Sequence, residues 1–162
     1  MNGDIVNKIV GLGEYAISND IEDVIKTFAL ASCVGITVYS QDKKIAGMAH
    51  IALPNPGLKY DININKPCYY ATLAVPFFFD LICNKYGCNK SSLQVRLFGG
   101  ADSSDVNDVF EIGKKNLSAV KDELSKINVK YEALEVSGRL SRTLEMDVLT
   151  GNVKLTTQLI KI

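Results

Sequence analysis

The chain has 162 residues and balances 18 basic against 18 acidic side chains, with a single histidine. This zero net charge predicts no general attraction to nucleic acid or to an anionic membrane surface. The length is sufficient for one hydrophobic core, so we expect a single domain over residues 1–162. The start lacks the pattern of a secretory signal and no apolar run is long enough to span a bilayer, which predicts a cytoplasmic protein without membrane insertion.

The first predicted element is an extended segment at the N-terminus. Ile5 to Ile17 is predicted as one strand that is interrupted by Gly11 and Gly13, and Asn19-Asp20 then begins a turn. Two strand-like segments, residues 33–39 and 47–53, follow on either side of a polar run. We therefore expect a β-hairpin in this part of the chain.

The register of this hairpin depends on where its turn lies. A tight turn centred on Gln41 and Asp42 pairs residues whose numbers sum to 83, which places Cys33 directly opposite His50. Side chains alternate between the two faces of a strand, so the two reactive side chains then share one sheet face. A three-residue loop would instead send one of them to the opposite face.

Helices and strands are interspersed in the remainder of the chain. A helix is predicted from Pro67 to Tyr86, disturbed at Pro76 and ended by Gly87. The later elements are a strand over residues 93–98, a helix over 105–127 and strands over 130–136, 143–148 and 153–160. This order predicts an α/β (mixed α+β) layered fold, with mixed β-sheets flanked by two main helices.

Four cysteines are present: Cys33, Cys68, Cys83 and Cys88. Cytosolic thiols normally stay reduced, so a disulfide framework is not expected. Only the last two are close together, and a zinc site normally needs a second close pair or further histidines. We therefore predict neither a metal site nor another cofactor.

Cys33 and His50 are the candidates for nucleophilic catalysis. A thiol with an ordinary pKa is mostly protonated at neutral pH, so a nucleophilic cysteine needs a neighbouring base, and His50 is the sole imidazole. The Cys33 N–H is a candidate oxyanion donor, and Thr27 or Thr37 could orient the imidazole. Composition alone favours another interpretation, in which both residues are ordinary members of a hydrophobic core.

Longer motifs around this pair resemble one family. Residues 30–35 read Leu-Ala-Ser-Cys-Val-Gly and residues 46–54 read Ala-Gly-Met-Ala-His-Ile-Ala-Leu-Pro. They resemble the bacterial chemotaxis family CheD, whose usual patterns are L-G-S-C-V-(A/G) and G-G-(M/I)-A-H-x-x-L-P. Further segments that resemble the family lie at residues 70–76, 96–101, 112–116 and 150–151, so the similarity covers nearly the whole chain.

The resemblance implies a hydrolase that acts on side-chain amides. Members of the family convert specific glutamines of methyl-accepting chemotaxis receptors to glutamate with release of ammonia, and they bind a CheC-like CheY-phosphate phosphatase. By position, Cys33 is then the nucleophile and His50 the base. Thr27, six residues before the cysteine, matches the family's third residue and is preferred to Thr37 for that reason.

Two other hypotheses remain open from the sequence. The protein could be a non-catalytic or weakly catalytic adaptor that docks the phosphatase or receptor helices, or a cysteine amidohydrolase with a different protein substrate. The chain also departs from the family pattern, because Ala31, Ala46, Ser137 and Ser141 stand where glycines are common. If those glycines adopt positive φ, the larger residues strain the backbone.

Overall fold

The computed structural model describes residues 5–57, 65–103 and 110–160. Within these ranges the chain forms nine strands and two α-helices. The elements are β1 (Val6–Ile9), β2 (Tyr15–Ser18), β3 (Asp23–Leu30), β4 (Val34–Ser40), β5 (Ile45–Ile51), α1 (Ala71–Asp80), β6 (Gln94–Gly99), α2 (Ile112–Lys126), β7 (Glu132–Val136), β8 (Leu140–Asp147) and β9 (Val153–Leu159). A π-helical turn, Leu81–Lys85, continues α1, and a short 3-10 helix covers Lys90–Ser92.

The strands form two mixed sheets. One has four strands in the order β1-β3-β8-β9, and the other has five in the order β2-β5-β4-β6-β7. The pairs β1–β3 and β6–β7 are parallel, and the other pairs are antiparallel. The predicted α+β fold with mixed sheets and two main helices is confirmed.

Two hydrophobic clusters arrange these elements in three layers. The first cluster lies between the sheets and combines Ile25, Leu30, Leu144 and Met146 of one sheet with Tyr39, Ala46, Met48 and Phe98 of the other. The second packs α1 and α2 together on the opposite face of the five-stranded sheet. Strands β4 and β5 are therefore buried on both faces along their whole length.

The N-terminal prediction was wrong in two respects. Ile5 to Ile17 is two strands in different sheets, because the chain turns near Gly11 and Gly13 and crosses from one sheet to the other. Strand β3 was not predicted. Its buried positions include Asp23 and Thr27, so the usual contrast between polar and apolar faces is lost, although its β-branched and aromatic residues were an available signal.

The predicted start of the first helix was also wrong. The helix begins at Ala71 instead of Pro67, because the preceding backbone is bonded elsewhere: the Cys68 N–H donates to the Gly13 carbonyl, and the Tyr69 carbonyl accepts from the N–H groups of Ala52 and Leu53. The helix continues through Pro76, and Gly87 ends the turn that follows with a φ of 70°, as predicted.

The second helix begins at Ile112, seven residues after the predicted start. Residues 105–109 of the predicted segment lie outside the described residues. The strand predicted over residues 93–98 and the three closing strands are present, with ends that differ by no more than three residues.

Candidate active site

The β4–β5 hairpin has a different register from the predicted one. Its loop contains four residues, 41–44, with Lys44 at a φ of 51°, so that Ser40 pairs with Ile45. His50 consequently pairs with Gly35 and not with Cys33. The numbers of paired residues sum to 85 instead of 83. Because this difference is even, Cys33 becomes the diagonal neighbour of His50 and stays on the same sheet face as His50. Diagonal neighbours across an antiparallel pair are about 7 to 8 Å apart, still within reach of long side chains.

Contacts with the rest of the protein agree with this shared face. The Cys33 side chain packs against the cluster between the two sheets. The ring of His50 is directed to the same layer, where its Nδ1 lies 2.7 Å from Oγ1 of Thr27 on β3 of the opposite sheet. The fold therefore brings the thiol, the imidazole and the Thr27 hydroxyl to the inter-sheet layer.

The loop that carries Cys33 is held by its carbonyl groups. Residues 31–33 connect β3 to β4, and each of their three carbonyl oxygens accepts a hydrogen bond from the segment 100–116. The Ala101 N–H donates to Ala31 at 2.8 Å, the Asn116 side-chain amide to Ser32 at 3.0 Å, and the Gly100 N–H to Cys33 at 2.8 Å. The position of the loop that carries Cys33 is thus set by residues far along the chain.

Two glycines allow this close approach. Gly99 and Gly100 have φ values of 93° and 61°, which residues other than glycine rarely adopt. A Cβ on Gly99 would collide with the Cys33 carbonyl oxygen. The Gly-Gly pair after β6 is therefore a structural requirement of the Cys33 loop.

The environment of His50 determines its tautomer. Its backbone is fixed by hydrogen bonds with Glu14 and Gly13, and its side chain is 5% exposed. Oγ1 of Thr27 lies 2.7 Å from the Val10 carbonyl oxygen, an acceptor with no proton to give, so the single hydroxyl proton is directed there. The hydroxyl can then only accept from Nδ1–H of His50. Nδ1 is protonated, and Nε2 has the unshared electron pair.

The Nε2 atom is consequently suited to accept a proton. It is buried and has no hydrogen-bond partner among the described residues. A neutral imidazole whose other nitrogen donates to an orienting group is the arrangement that general base catalysis requires.

Burial keeps both reactive groups uncharged. Desolvation raises the pKa of the Cys33 thiol to about 11. Desolvation, with a smaller effect from the positive charge of Lys66, lowers the pKa of His50 to about 4. At neutral pH the resting pair is therefore a thiol and a neutral imidazole, and not a thiolate–imidazolium ion pair.

The lowered pKa of His50 predicts a loss of stability in mild acid. The unfolded chain protonates this histidine near pH 6.5, whereas the folded chain does so only near pH 4. The unfolded state thus binds more protons in this interval. The contribution of His50 to the free energy of unfolding therefore has its full value above pH 6.5, and the free energy falls as the pH decreases towards 4. A shift of this size corresponds to about 3 kcal/mol. Urea denaturation at pH 7.5 and pH 4.5 measures this loss.

The His50→Gln variant is the control for this experiment, because the chain has no other histidine. Carboxylates titrate in both proteins, whereas the contribution of the imidazole is absent from the variant. Its free energy of unfolding should fall by about 2 to 3 kcal/mol less than that of the wild type over the same interval. Equal losses in the two proteins would contradict the assignment of a buried, neutral His50.

The four departures from glycine differ in their backbone conformation. Only Ser137 has a positive φ, 63°, which costs roughly 1 to 2 kcal/mol for a residue with a side chain. Ala31, Ala46 and Ser141 do not adopt positive φ. The expected strain is therefore confined to the loop between β7 and β8.

Sequence reasoning missed three contributors to the site. They are the Val10 carbonyl, the bulge between Thr27 and Leu30 where Ala29 has a φ of 55°, and the side chain of Asn116. Only Asn116 had a signal in the sequence, since it ends the segment 112–116 that resembles the family and is a polar residue beside Leu117 on the apolar face of α2. The other two depend on pairing between strands that are distant in the chain.

The described ranges, 5–57, 65–103 and 110–160, contain neither a metal-ligand cluster nor a membrane-spanning helix. No group of three or more His, Cys, Asp or Glu side chains that could hold a metal ion occurs in them. No helix in the same ranges is long and apolar enough to cross a membrane.

The fold and the site together define a two-sheet α+β protein with a cysteine, a histidine and a threonine gathered in the layer between its sheets. Comparison with known proteins specifies this class further. The sequence model for CheD, described as CheD chemotactic sensory transduction, matches residues 52–157, well over half of the chain. The chain belongs to the CheD family.

Three relatives illustrate the similarity. The "Probable chemoreceptor glutamine deamidase CheD" of Syntrophotalea carbinolica is 40% identical over 91% of this chain and 91% of its own length. The "Chemoreceptor glutamine deamidase CheD" proteins of Bacillus velezensis and Bacillus subtilis are 35% and 33% identical, each over 85% of this chain and 83% of the relative. Among solved structures, Bacillus licheniformis hypothetical protein YfiH aligns with a TM-score of 0.48 and 10% identity, over 76% of this chain and 51% of that one.

Proposed function

We propose that this protein is a chemoreceptor glutamine deamidase, which hydrolyses the side-chain amide of specific receptor glutamines to glutamate and ammonia. Its relatives carry that name, and they align over most of the chain. The observation that carries the mechanism is the hydrogen-bonded series from the Val10 carbonyl through Thr27 to Nδ1 of His50, which leaves Nε2 as an acceptor in the layer that also holds Cys33.

The first half of the proposed reaction forms a thioester. Sγ of Cys33 attacks the carbonyl carbon of the glutamine side chain while the thiol proton moves to Nε2 of His50. With pKa values of about 11 and about 4, a separated ion pair is unfavourable at rest, so proton transfer accompanies the attack. The C–N bond then breaks, and the leaving nitrogen takes the proton from His50 and departs as ammonia. General base and acid catalysis of this kind contributes roughly 10² to 10⁴ in rate.

The second half of the reaction regenerates the enzyme. Water attacks the thioester carbonyl and gives a proton to Nε2 of His50. The C–S bond breaks, the carboxyl group of glutamate is released, and the proton returns to the sulfur of Cys33. No electrons are transferred and no cofactor is consumed, because the reaction is a hydrolysis.

A tetrahedral oxyanion forms in both halves and needs hydrogen-bond donors. The backbone N–H of Cys33 is the proposed donor, since it lies on the nucleophile itself and donates to no group among the described residues. Loss of one such donor typically costs about 2.7 to 4 kcal/mol of barrier.

The proposal also extends to partners and location. We place the substrate glutamines on the cytoplasmic helices of methyl-accepting chemotaxis receptors, and therefore the protein in the cytoplasm. A CheC-like CheY-phosphate phosphatase is the second proposed partner. Both assignments depend on family membership, and they apply to this chain only as proposals.

Mass spectrometry of receptor helices tests the proposed function. A cytoplasmic receptor fragment is incubated with the protein, and each glutamine-containing peptide is examined for the gain of about one mass unit that replacement of –NH₂ by –OH produces. Stoichiometric ammonia release is measured in parallel. If the peptides show no gain in mass and no ammonia is released above an enzyme-free control, the result would count against deamidation and favour the adaptor hypothesis.

A further inference from the structure

Asn116 is a buried polar residue on α2, the helix that contacts the loop of residues 31–33. Its side chain is fully buried, and its Nδ2 amide donates to two backbone carbonyls, that of Ser32 at 3.0 Å and that of Ala52 at 2.9 Å. Ser32 precedes Cys33, and Ala52 lies two residues after His50. One side chain thus joins the loop of the proposed nucleophile to the end of the strand that carries the proposed base.

The chemistry of this contact defines which residue can make it. Both partners are carbonyl oxygens and can only accept, so the side chain must present an N–H₂ group to them. The Oδ1 atom at the other end of the amide is buried and has no partner among the described residues. A buried acceptor without a partner is unfavourable, so the two donated bonds are the reason for an amide at this position.

The bond to Ser32 has a consequence for Cys33. The peptide bond between these residues is trans, and in a planar trans peptide the carbonyl and the following N–H point in opposite directions. When Asn116 fixes the carbonyl of Ser32, it also fixes the direction of the Cys33 N–H, away from α2. The N–H groups of Gly100 and Ala101 hold the peptide planes on either side in the same way.

We propose that Asn116 is a positioning residue for the oxyanion donor: it orients the Ser32–Cys33 peptide so that the Cys33 N–H can bind the oxyanion of the tetrahedral intermediate. This inference rests on the proposed function, because it assigns a role within acyl transfer at Cys33. It differs from a purely structural role, since it concerns one step of the chemistry and not the reactivity of the thiol in general.

Two small reagents separate these roles without requiring a receptor. Acylation of Cys33 by p-nitrophenyl acetate passes through a tetrahedral oxyanion, whereas alkylation by iodoacetamide is a direct displacement at carbon and forms none. We expect Asn116→Asp and Asn116→Ala to lower the acylation rate about 10- to 100-fold relative to the alkylation rate, somewhat less than complete loss of a donor. Both rates are measured at Cys33 by mass spectrometry, with Cys33→Ala as the background.

A matched control accounts for lost stability. Leu124 lies on the same helix, eight residues after Asn116, is fully buried and has an apolar side chain that cannot donate to a carbonyl, so Leu124→Ala should destabilise the protein while leaving the ratio of the two rates within about threefold. Asn116→Ala serves if the buried carboxylate of Asn116→Asp prevents folding. Equal falls in the two rates, or no fall in either, would overturn the proposal. If the wild type released no ammonia from receptors, the result would instead count against the deamidase assignment. The ratio of the acylation and alkylation rates at Cys33 could still be measured, because it needs no receptor.

Discussion

Replacement of Cys33 by alanine is expected to reduce ammonia release from receptor glutamines to the background of the assay. In the proposed mechanism the reaction proceeds through a bond to the Cys33 sulfur. Of the four cysteines, only Cys33 packs against the inter-sheet cluster, since Cys68 and Cys88 belong to the cluster around the helices and Cys83 lies in the π-helical turn. Removal of the nucleophile from a catalytic set of this kind typically lowers kcat by about 10⁴-fold or more. The fold should persist, because the side chain lost is small and only partly buried.

Cys83→Ala is the matched control for this experiment. Cys83 is also partly buried and reduced, but it lies in the π-helical turn after α1, away from the inter-sheet layer. Its replacement should leave the rate of deamidation unchanged within about twofold, since substitutions near the surface and outside the core and the site have small effects on stability. A Cys33→Ala protein that still deamidates receptors would disprove the thioester mechanism.

The same variant also bears on the adaptor hypothesis. If Cys33→Ala binds a CheC-like phosphatase or receptor helices with wild-type affinity, docking does not require the thiol, and binding and catalysis are separable properties. If the variant loses ammonia release but keeps binding, catalysis is assigned to Cys33 and the adaptor role remains as an additional property. Binding titrations with the two partners therefore accompany the activity assay.

Replacement of Thr27 by valine is expected to lower the rate of deamidation by at least about 10²-fold. Valine has nearly the shape of threonine but cannot accept from Nδ1–H of His50, which loses its partner at 2.7 Å. The ring is then free to adopt the other tautomer, in which Nε2 is protonated and can no longer take the thiol proton. In catalytic triads, loss of the correct imidazole tautomer costs on the order of 10⁴ in kcat.

Two further threonine variants make this prediction specific. Thr27→Ser keeps the hydroxyl and should retain activity within about tenfold of the wild type. Thr37→Val removes a hydroxyl from a buried threonine on β4, which is not the group bonded to the ring of His50, and should change the rate by no more than about threefold. Steady-state ammonia release measures all three. Similar losses in Thr27→Val and Thr37→Val would indicate that burial of polar groups, and not the tautomer, explains the effect.

Most of the site residues were predicted from the resemblance to the CheD family. The register of the hairpin and the contacts between the site residues became known only from the structure. Cys33 and His50 lie in the motifs at residues 30–35 and 46–54, and Thr27 was predicted from the resemblance alone, by its position six residues before the cysteine. The structure places Thr27 against the His50 ring. The predicted register was nevertheless wrong, because the number of residues in a hairpin loop depends on a turn conformation, here a left-handed Lys44, that the polar run 40–44 does not reveal.

Patterns of apolar residues predicted the elements that contribute most to the core. Helix α2 buries one face and has a helical pattern, whereas strands β4 and β5 are apolar segments buried on both faces, and all three are present near their predicted positions. Strand β3 was not predicted because its inward positions include Asp23 and Thr27. Their polar groups are satisfied inside the protein, since Asp23 accepts from the Ser18 hydroxyl and Thr27 donates to the Val10 carbonyl. A buried polar residue is indistinguishable from an exposed one until its partner is known.

The sequence by itself placed Cys33 and His50 at the two strands of one hairpin, but a shared face required that the register change by an even number of residues, because side-chain alternation has a period of two. The four-residue loop of the structure meets this condition. Only the tertiary structure decided what that face meets. The Val10 carbonyl, the Thr27 hydroxyl and the Asn116 amide reach the site from three other parts of the chain, 17 to 84 residues from their partners. Their hydrogen bonds depend on how the two sheets and α2 pack, and no local pattern of residues specifies such packing.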